Sequence, residues 1–387
     1  MCMHIRIAAA NSSPENKQLA DVICTGKHDE RIINEQIEKL IYGGTLQLLD
    51  GDYYVDAFDQ PDHTAIYFGF NEGRARTINF IGDTENKGYN TRYGVTIHVT
   101  KEAMESLPKG EEGHVFFSTG EKPEAPGDFF TYTFVNNVNF KNFYVYYYNA
   151  AYPVVGIDYS HMGAGEVEQV GIFTERFFED RFLHEKPATP ARGSIGIRTN
   201  IHSNDEMARI GYHVIDIGGM HTGFEFVGGD HTILRVCNAA RCCYGFVFRR
   251  TSHKTLTMIN CSDEGNTHLP LFCGKGHLTC IDLNIERFNA DFIPDDPDGI
   301  DEPYATEETP GGWHGFISYT LQGSAYGIKR LWRKGHGMNF RTINQNHDLA
   351  VRPEYPEYLE TYFDPATRCT LTWTGDEWVD AMGNTVE

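Results

Sequence analysis

Two acids in the stretch VIDIGGMHTGFEF, Asp216 and Glu225, are the residues whose type and setting point to bond-breaking chemistry. Glycoside cleavage needs two carboxyl groups about 5–9 Å apart, one protonated and one ionised. Asp216 lies between Ile215 and Ile217, and Glu225 between Phe224 and Phe226. In extended chain each acid therefore points away from the apolar face that its neighbours form. Two solvated strand residues would show the same alternation, so the pattern nominates the pair without making it a site. Arg235, Arg249, Asp263, Glu264, Glu286 and Trp313 complete the candidate substrate contacts, with Trp313 offering a flat apolar face beside an acidic loop. Asp263-Glu264 also reads as ordinary turn chemistry before Gly265.

Metal chemistry has little support. His221, His231, His253, His268 and His277 recur, but none forms an HxH or HxxxH pair, so no metal and no cofactor is expected. Asp158 to His161 and Glu166 with Glu168 have ligand types suited to Ca²⁺, although exposed charge on an edge explains them as well. A lyase needs an Arg or Lys base beside a Ca²⁺ nest, and the stacked basic positions Arg235 and Arg249-Arg250 leave that chemistry open. Gly335-His336-Gly337 and Ile328-Lys329-Arg330 occur in the order opposite to that of polygalacturonases, which excludes that reading.

Positioning two acids distant in sequence requires stacked elements, and the chain shows them. GIDYS at Gly156, GIRTN at Gly196, GFEFV at Gly223, GFVFR at Gly245 and PLFCG at Pro270 share one texture, a Gly or Pro followed by a short apolar run. The later ones recur every roughly 22–27 residues, each with a second apolar strand near it, which predicts the coils of a parallel β-helix. An antiparallel sandwich would need hairpin turns every 8–12 residues or so, and these are sparse. The run DERIINEQIEKLI, 29–41, places Ile32, Ile33, Ile37, Leu40 and Ile41 on one helical stripe, ended by Gly43-Gly44. Asn260 and Asn284 suggest an asparagine ladder between coils. Residues 101–128 and 291–312 are charged, Pro/Gly-rich and read as side loops. Tyr144–Tyr148, within YVYYYNAAY, reads as an interface surface more than a sugar platform.

The expected architecture is all-β: a single-stranded right-handed parallel β-helix over 46–345, preceded by an N-terminal segment and capping helix over 1–45. A cap or strand extension follows over 346–387. The 387 residues carry a net charge of −21, which disfavours nucleic acid and anionic membrane as partners. Nine Cys without zinc spacing or a secretory signal read as buried, reduced thiols, and the expected compartment is the cytoplasm, with a phage particle as the alternative.

The opening ADVICTGKHDERIINEQIEKLIYGGTLQLLDGDYYV resembles the entry module of pectate-lyase-like β-helix proteins. Gly26, Asp29, Ile33, Ile37, Gly43, Gly44, Gly51 and Tyr53 follow that module's order. The superfamily includes lyases, hydrolases, phage tailspikes and adhesins, so the resemblance implies the fold and leaves the activity open. VIDIGGMHTGFEF is similar to the catalytic stretch of the inulin fructotransferase and difructose anhydride hydrolase family, with a turn two residues shorter. That resemblance implies Asp216 and Glu225 as the catalytic carboxylates, a lid at 101–128, an oligo- or polysaccharide substrate and a homotrimer. Phage tail glycan binding, a non-catalytic β-helix module and a polysaccharide lyase are the competing functions.

Overall fold

The computed structural model describes residues 3–69, 76–84, 94–118, 136–160, 164–178, 190–200, 209–226, 231–249, 253–266, 271–273, 275–286, 314–323, 361–364, 369–374, 376–380 and 382–386. Within them the chain winds into a right-handed parallel β-helix. A 14-stranded sheet and a 7-stranded sheet run along the same axis, and every pairing in both is parallel. Trp313 and the 291–312 segment lie outside the described residues.

The recurrent glycine texture has a steric origin. Val154–Ser160, Ile195–Asn200, Thr222–Phe226, Tyr244–Arg249 and Leu271–Cys273 are consecutive rungs of the 7-stranded sheet. At Gly156 a Cβ would lie 2.5 Å from the Gly196 carbonyl oxygen, and at Gly196 2.7 Å from that of Gly223. Each glycine thus lets the next coil close upon it. Gly196→Ala, whose methyl would also come within 2.5 Å of Ile217 Cγ2, is expected to cost about 1–3 kcal/mol through overpacking. A thermal melt indistinguishable from that of the parent would contradict this account.

The long strands of the larger sheet bend once, at a residue in the left-handed region. Asn142, Gln169, Val214, Val236, Asn260 and Asp282 all have φ between 51° and 62° and mark the same corner on successive coils. The corner divides each long strand into two segments that face different directions. Inside, Ile172, Ile215, Ile217, Phe224, Phe226 and Phe246 form part of one continuous buried core. Phe224 stacks on Phe246 at 5.0 Å and Phe226 on Phe248 at 5.0 Å.

The N-terminal module closes this core. The helix Asp29–Lys39 buries Ile33, Ile37 and the following Leu40, while Ile41 is exposed because the helix has ended. Asp29 is fully buried and accepts from the backbone N–H groups of Thr25, Gly26 and Tyr54, at 3.1, 3.0 and 3.0 Å, joining the helix start to a coil strand. Gly43 has φ +80°, and a Cβ there would lie 2.4 Å from Thr77 O, so the two-glycine stop is a packing requirement as well as a helix terminator. Strand Met3–Ala8 joins the sheet beside Gly44–Leu48, making the N-terminal segment part of the helix wall.

Two expectations are corrected. Residues 101–128 do not form one loop: Lys101–Ser106 is a helix capped by Thr100, and Gly113–Ser118 is a rung of the 7-stranded sheet. Asn260 and Asn284 are not rung partners, since Asn260 is a corner residue whereas Asn284 pairs with Ser262. The ladder in the structure runs elsewhere, with Asn139 Nδ2 donating to Asn79 Oδ1 at 2.8 Å. Within 346–387 the described strands Thr361–Asp364, Cys369–Trp373 and Trp378–Val379 pair antiparallel. Cys24, Cys237, Cys242, Cys243, Cys261 and Cys280 are free and buried, as anticipated.

Candidate functional site

Rung-by-rung register turns the coil into columns of side chains, and the outer face after the corner of the larger sheet carries two. The first reads Asp52, Thr96, Tyr144, Gly171, Asp216, Asn238, Ser262, Asn284. The second reads Tyr54, His98, Tyr146, Phe173, Gly218, Ala240, Glu264, Glu286. One end is therefore aromatic and the other carboxylic.

The aromatic end is a run of ring contacts along the axis. Tyr54 stacks on His98 at 5.1 Å, and His98 meets Tyr146 edge-on at 6.1 Å. Tyr146 and Phe173 both contact Phe178, which the turn Glu175–Phe178 carries back over the face. Tyr148 and Phe178 are exposed, and Tyr54, His98 and Tyr146 half-buried, so ring surface remains open to solvent. Asp52 Oδ1 holds His98 Nε2 at 2.9 Å, and this hydrogen bond draws the Asp52 carboxyl below its ordinary pKa.

Asp216 stands where the rings meet the acids. Two glycines make its setting apolar. At Gly171, its rung neighbour, a Cβ would collide with the Tyr144 ring at 2.2 Å; at Gly218, two residues on, it would collide with Phe177 at 2.2 Å. The rings lie against those backbones, and the desolvation they impose pushes the Asp216 carboxyl up to about 6. The Asn238 side chain opposes the shift by hydrogen bonding, while the Glu264 carboxylate adds to it. Ser262 Oγ donates to Glu264 Oε1 at 2.6 Å. The same proximity is felt by Tyr144, whose phenol is raised to about 12 by burial and then by Asp216.

Asp216 and Glu225 do not form one couple. Asp216 is on the 14-stranded sheet and Glu225 on the 7-stranded sheet, both on outer faces, with the turn at Gly218–His221 between them. Outward directions on two sheets of a convex coil diverge, so alternation alone does not bring the acids together. Nor is Glu225 open to a groove. It is 1% exposed and accepts from Arg198 Nε at 2.7 Å.

Arg198 is the centre of a second cluster, which the sequence reading missed. In register, Asp158, Arg198, Glu225 and Val247 form one outer column of the 7-stranded sheet. Arg198 also donates to both oxygens of Glu112, and its Nη1 lies 3.5 Å from Asp158 Oδ2. His114 Nδ1 is 3.2 Å from the same Asp158 oxygen, and Glu112, His114 and Asp158 offer ligand atoms within 4.8 Å of one another. Burial by itself would ease the proton off Arg198, but Glu112, Glu225 and Asp158 outweigh it and hold the guanidinium firmly charged. Asp158 is 2% exposed, which corrects its reading as surface charge. Arg198 already pairs with these acids, and Glu225 and Asp158 are shut off from solvent while Glu112 stays partly open, so the arrangement suits holding coils together.

The remaining candidates scatter. Asp263 faces inward and is fully buried, its Oδ2 occupying the space where a Gly245 side chain would go, so it is not a substrate contact. Glu264 and Glu286 are rung partners. Arg235 is exposed but lies before the corner, above His213, on a different face from Asp216. Arg249 ends a strand of the other sheet, so it does not stack with Arg235.

No family model matches the chain, and no curated protein matches it. Among solved structures, tailspike protein 3 of Bacteriophage CBA120 is similar at 9% identity, over 92% of this chain and 67% of that one, with a TM-score of 0.27. No helix among the described residues is long and apolar enough to cross a membrane.

Proposed function

We propose that the outer face bearing Tyr54, His98, Tyr146 and Asp216 binds an oligo- or polysaccharide along the helix axis, and that Asp216 with Glu264 cleaves a glycosidic bond there. The observation that carries this reading is the register itself. Rings one coil, about 4.8 Å, apart lead to Asp216, and Glu264 stands two coils further in the neighbouring column of the same face. Sugars present flat C–H faces that stack on such rings, and the ring edges leave hydroxyl groups free to hydrogen-bond.

In the mechanism Asp216, kept protonated by its apolar setting, donates to the glycosidic oxygen. Glu264 activates water or attacks the anomeric carbon, the choice depending on the separation that the bound sugar imposes. This departs from a fructotransferase-type site, which would couple Asp216 to Glu225. The fold still supports a place among pectate-lyase-like proteins, with Glu264 in the role assigned from sequence to Glu225.

The test is a glycan screen by affinity and by product mass, run on the parent and on Tyr146→Ala. Binding should fall about tenfold or more with loss of one stacking platform, and products should appear only with the parent's carboxyls intact. Ligands that bind equally well to Tyr146→Ala would remove this face from consideration. Binding without bond cleavage by the parent would turn the reading to a glycan-holding module, such as a phage tail component.

A further inference from the structure

The proposed glycan face has a charge pattern that its rings do not require. Every tyrosine of the two columns has a carboxylate beside it. Asp52 bonds His98, whose ring stacks on Tyr54; Asp216 stands two coils along the first column from Tyr144; and Glu175 opens the turn whose Phe178 ring contacts Tyr146. Glu264 continues the acidic series along the second column.

The cations nearest this face among the described residues are committed to partners. His98 is bonded to Asp52. Arg176 Nη1 donates to Arg241 O at 2.8 Å, and Arg241 donates to Phe177 O while lying 5.3 Å above the Phe177 ring. These guanidinium groups brace the turn that seats Phe177 and Phe178. Uronates, sialic acids and sulfated sugars would meet a row of carboxylates at every ring.

A ring face with a carboxylate at its edge suits a primary ammonium group, which gains from the ring quadrupole and from the opposite charge together. Resting on the reading of this face as a glycan site, we infer that its substrate carries free amino groups: a glucosamine-type chain in place of a neutral or uronate one. Successive ammonium groups would lie between Tyr54 and Asp52, between Tyr146 and Glu175, and beside Asp216 and Glu264. The overall charge of −21 would favour the approach of such a polycation at low salt.

Calorimetric titration with three oligosaccharides of equal length tests this: glucosamine, N-acetylglucosamine and galacturonate chains. The glucosamine chain should bind at least about tenfold more tightly than its acetylated counterpart and lose affinity as salt is raised, with no binding of the galacturonate chain. Glu175→Gln should weaken the amino chain several-fold and leave the acetylated chain unchanged, a split that a general folding defect would not give. Equal affinity for both glucosamine forms, or preference for galacturonate, would overturn the inference while leaving the glycan face standing wherever Tyr146→Ala still abolishes binding. Silence from all three chains would overturn the amino-sugar class, and the wider screen would then judge the face independently.

Discussion

Replacing Arg198 with Ala is expected to cost about 3–5 kcal/mol of stability, because it leaves buried carboxylates uncompensated. Glu225, Asp158 and Glu112 all turn to this one guanidinium, and the first two are almost fully buried. The melting temperature should fall by several degrees, and the deficit should shrink as the pH is lowered and the abandoned acids take up protons. Glu225→Gln should cost less, since Arg198 would keep Glu112 and Asp158 as partners. An Arg198→Ala protein melting with the parent would show that water reaches the cluster and discharges it.

The second large effect concerns Asp216. With substrate in hand from the screen, Asp216→Asn should lower turnover roughly 10²–10⁴-fold, the usual contribution of a general acid, while ground-state affinity changes little. The parent's rate should decline above pH 6 or so, where the raised carboxyl loses its proton. The stability sign is opposite to that of a salt-bridged acid. Between the ordinary carboxyl range, near 3.8, and about 6, the folded protein holds a proton that the unfolded chain has released. Stability therefore falls as pH rises through that window, and Asp216→Asn should flatten this part of the profile. A variant with the parent's rate would eliminate Asp216 as proton donor.

Much of this architecture was written in local requirements. The glycines at 156, 196 and 223 had to recur because the next coil's backbone occupies the space a side chain would need, and at Gly245 the Asp263 side chain fills that space. The same alignment of repeats held the buried cluster in plain view. Asp158, Arg198 and Glu225 occupy the same position after those glycines, two residues on, and Val247 follows them. Charge alternates down that column, but a single acid between two apolar residues carries no sign of what stacks on it from adjacent coils. Burial was not legible at all, because what covers an outer face is not periodic.

Alternation also stops at corners. It placed Asp216 and Glu225 on outer faces correctly, but nothing in period two says that a turn intervenes and that outward then means another direction. The left-handed residue at 260 shifts Asn260 off the row of Asn284 for the same reason. At Asp263 the turn-like SDEG forms a strand, so strict alternation with Ser262 and Glu264 drives the acid into the interior. The aromatic columns needed register, a property of pairs of strands that no single stretch contains.

Because each coil adds one position to both columns, the face works as a ruler whose divisions are fixed by backbone hydrogen bonding. On the proposed reading, gaining or losing a whole coil between His98 and Asp216 would move the point of attack by one division along the bound chain, and product length would be set by how many windings separate the rings from the acids.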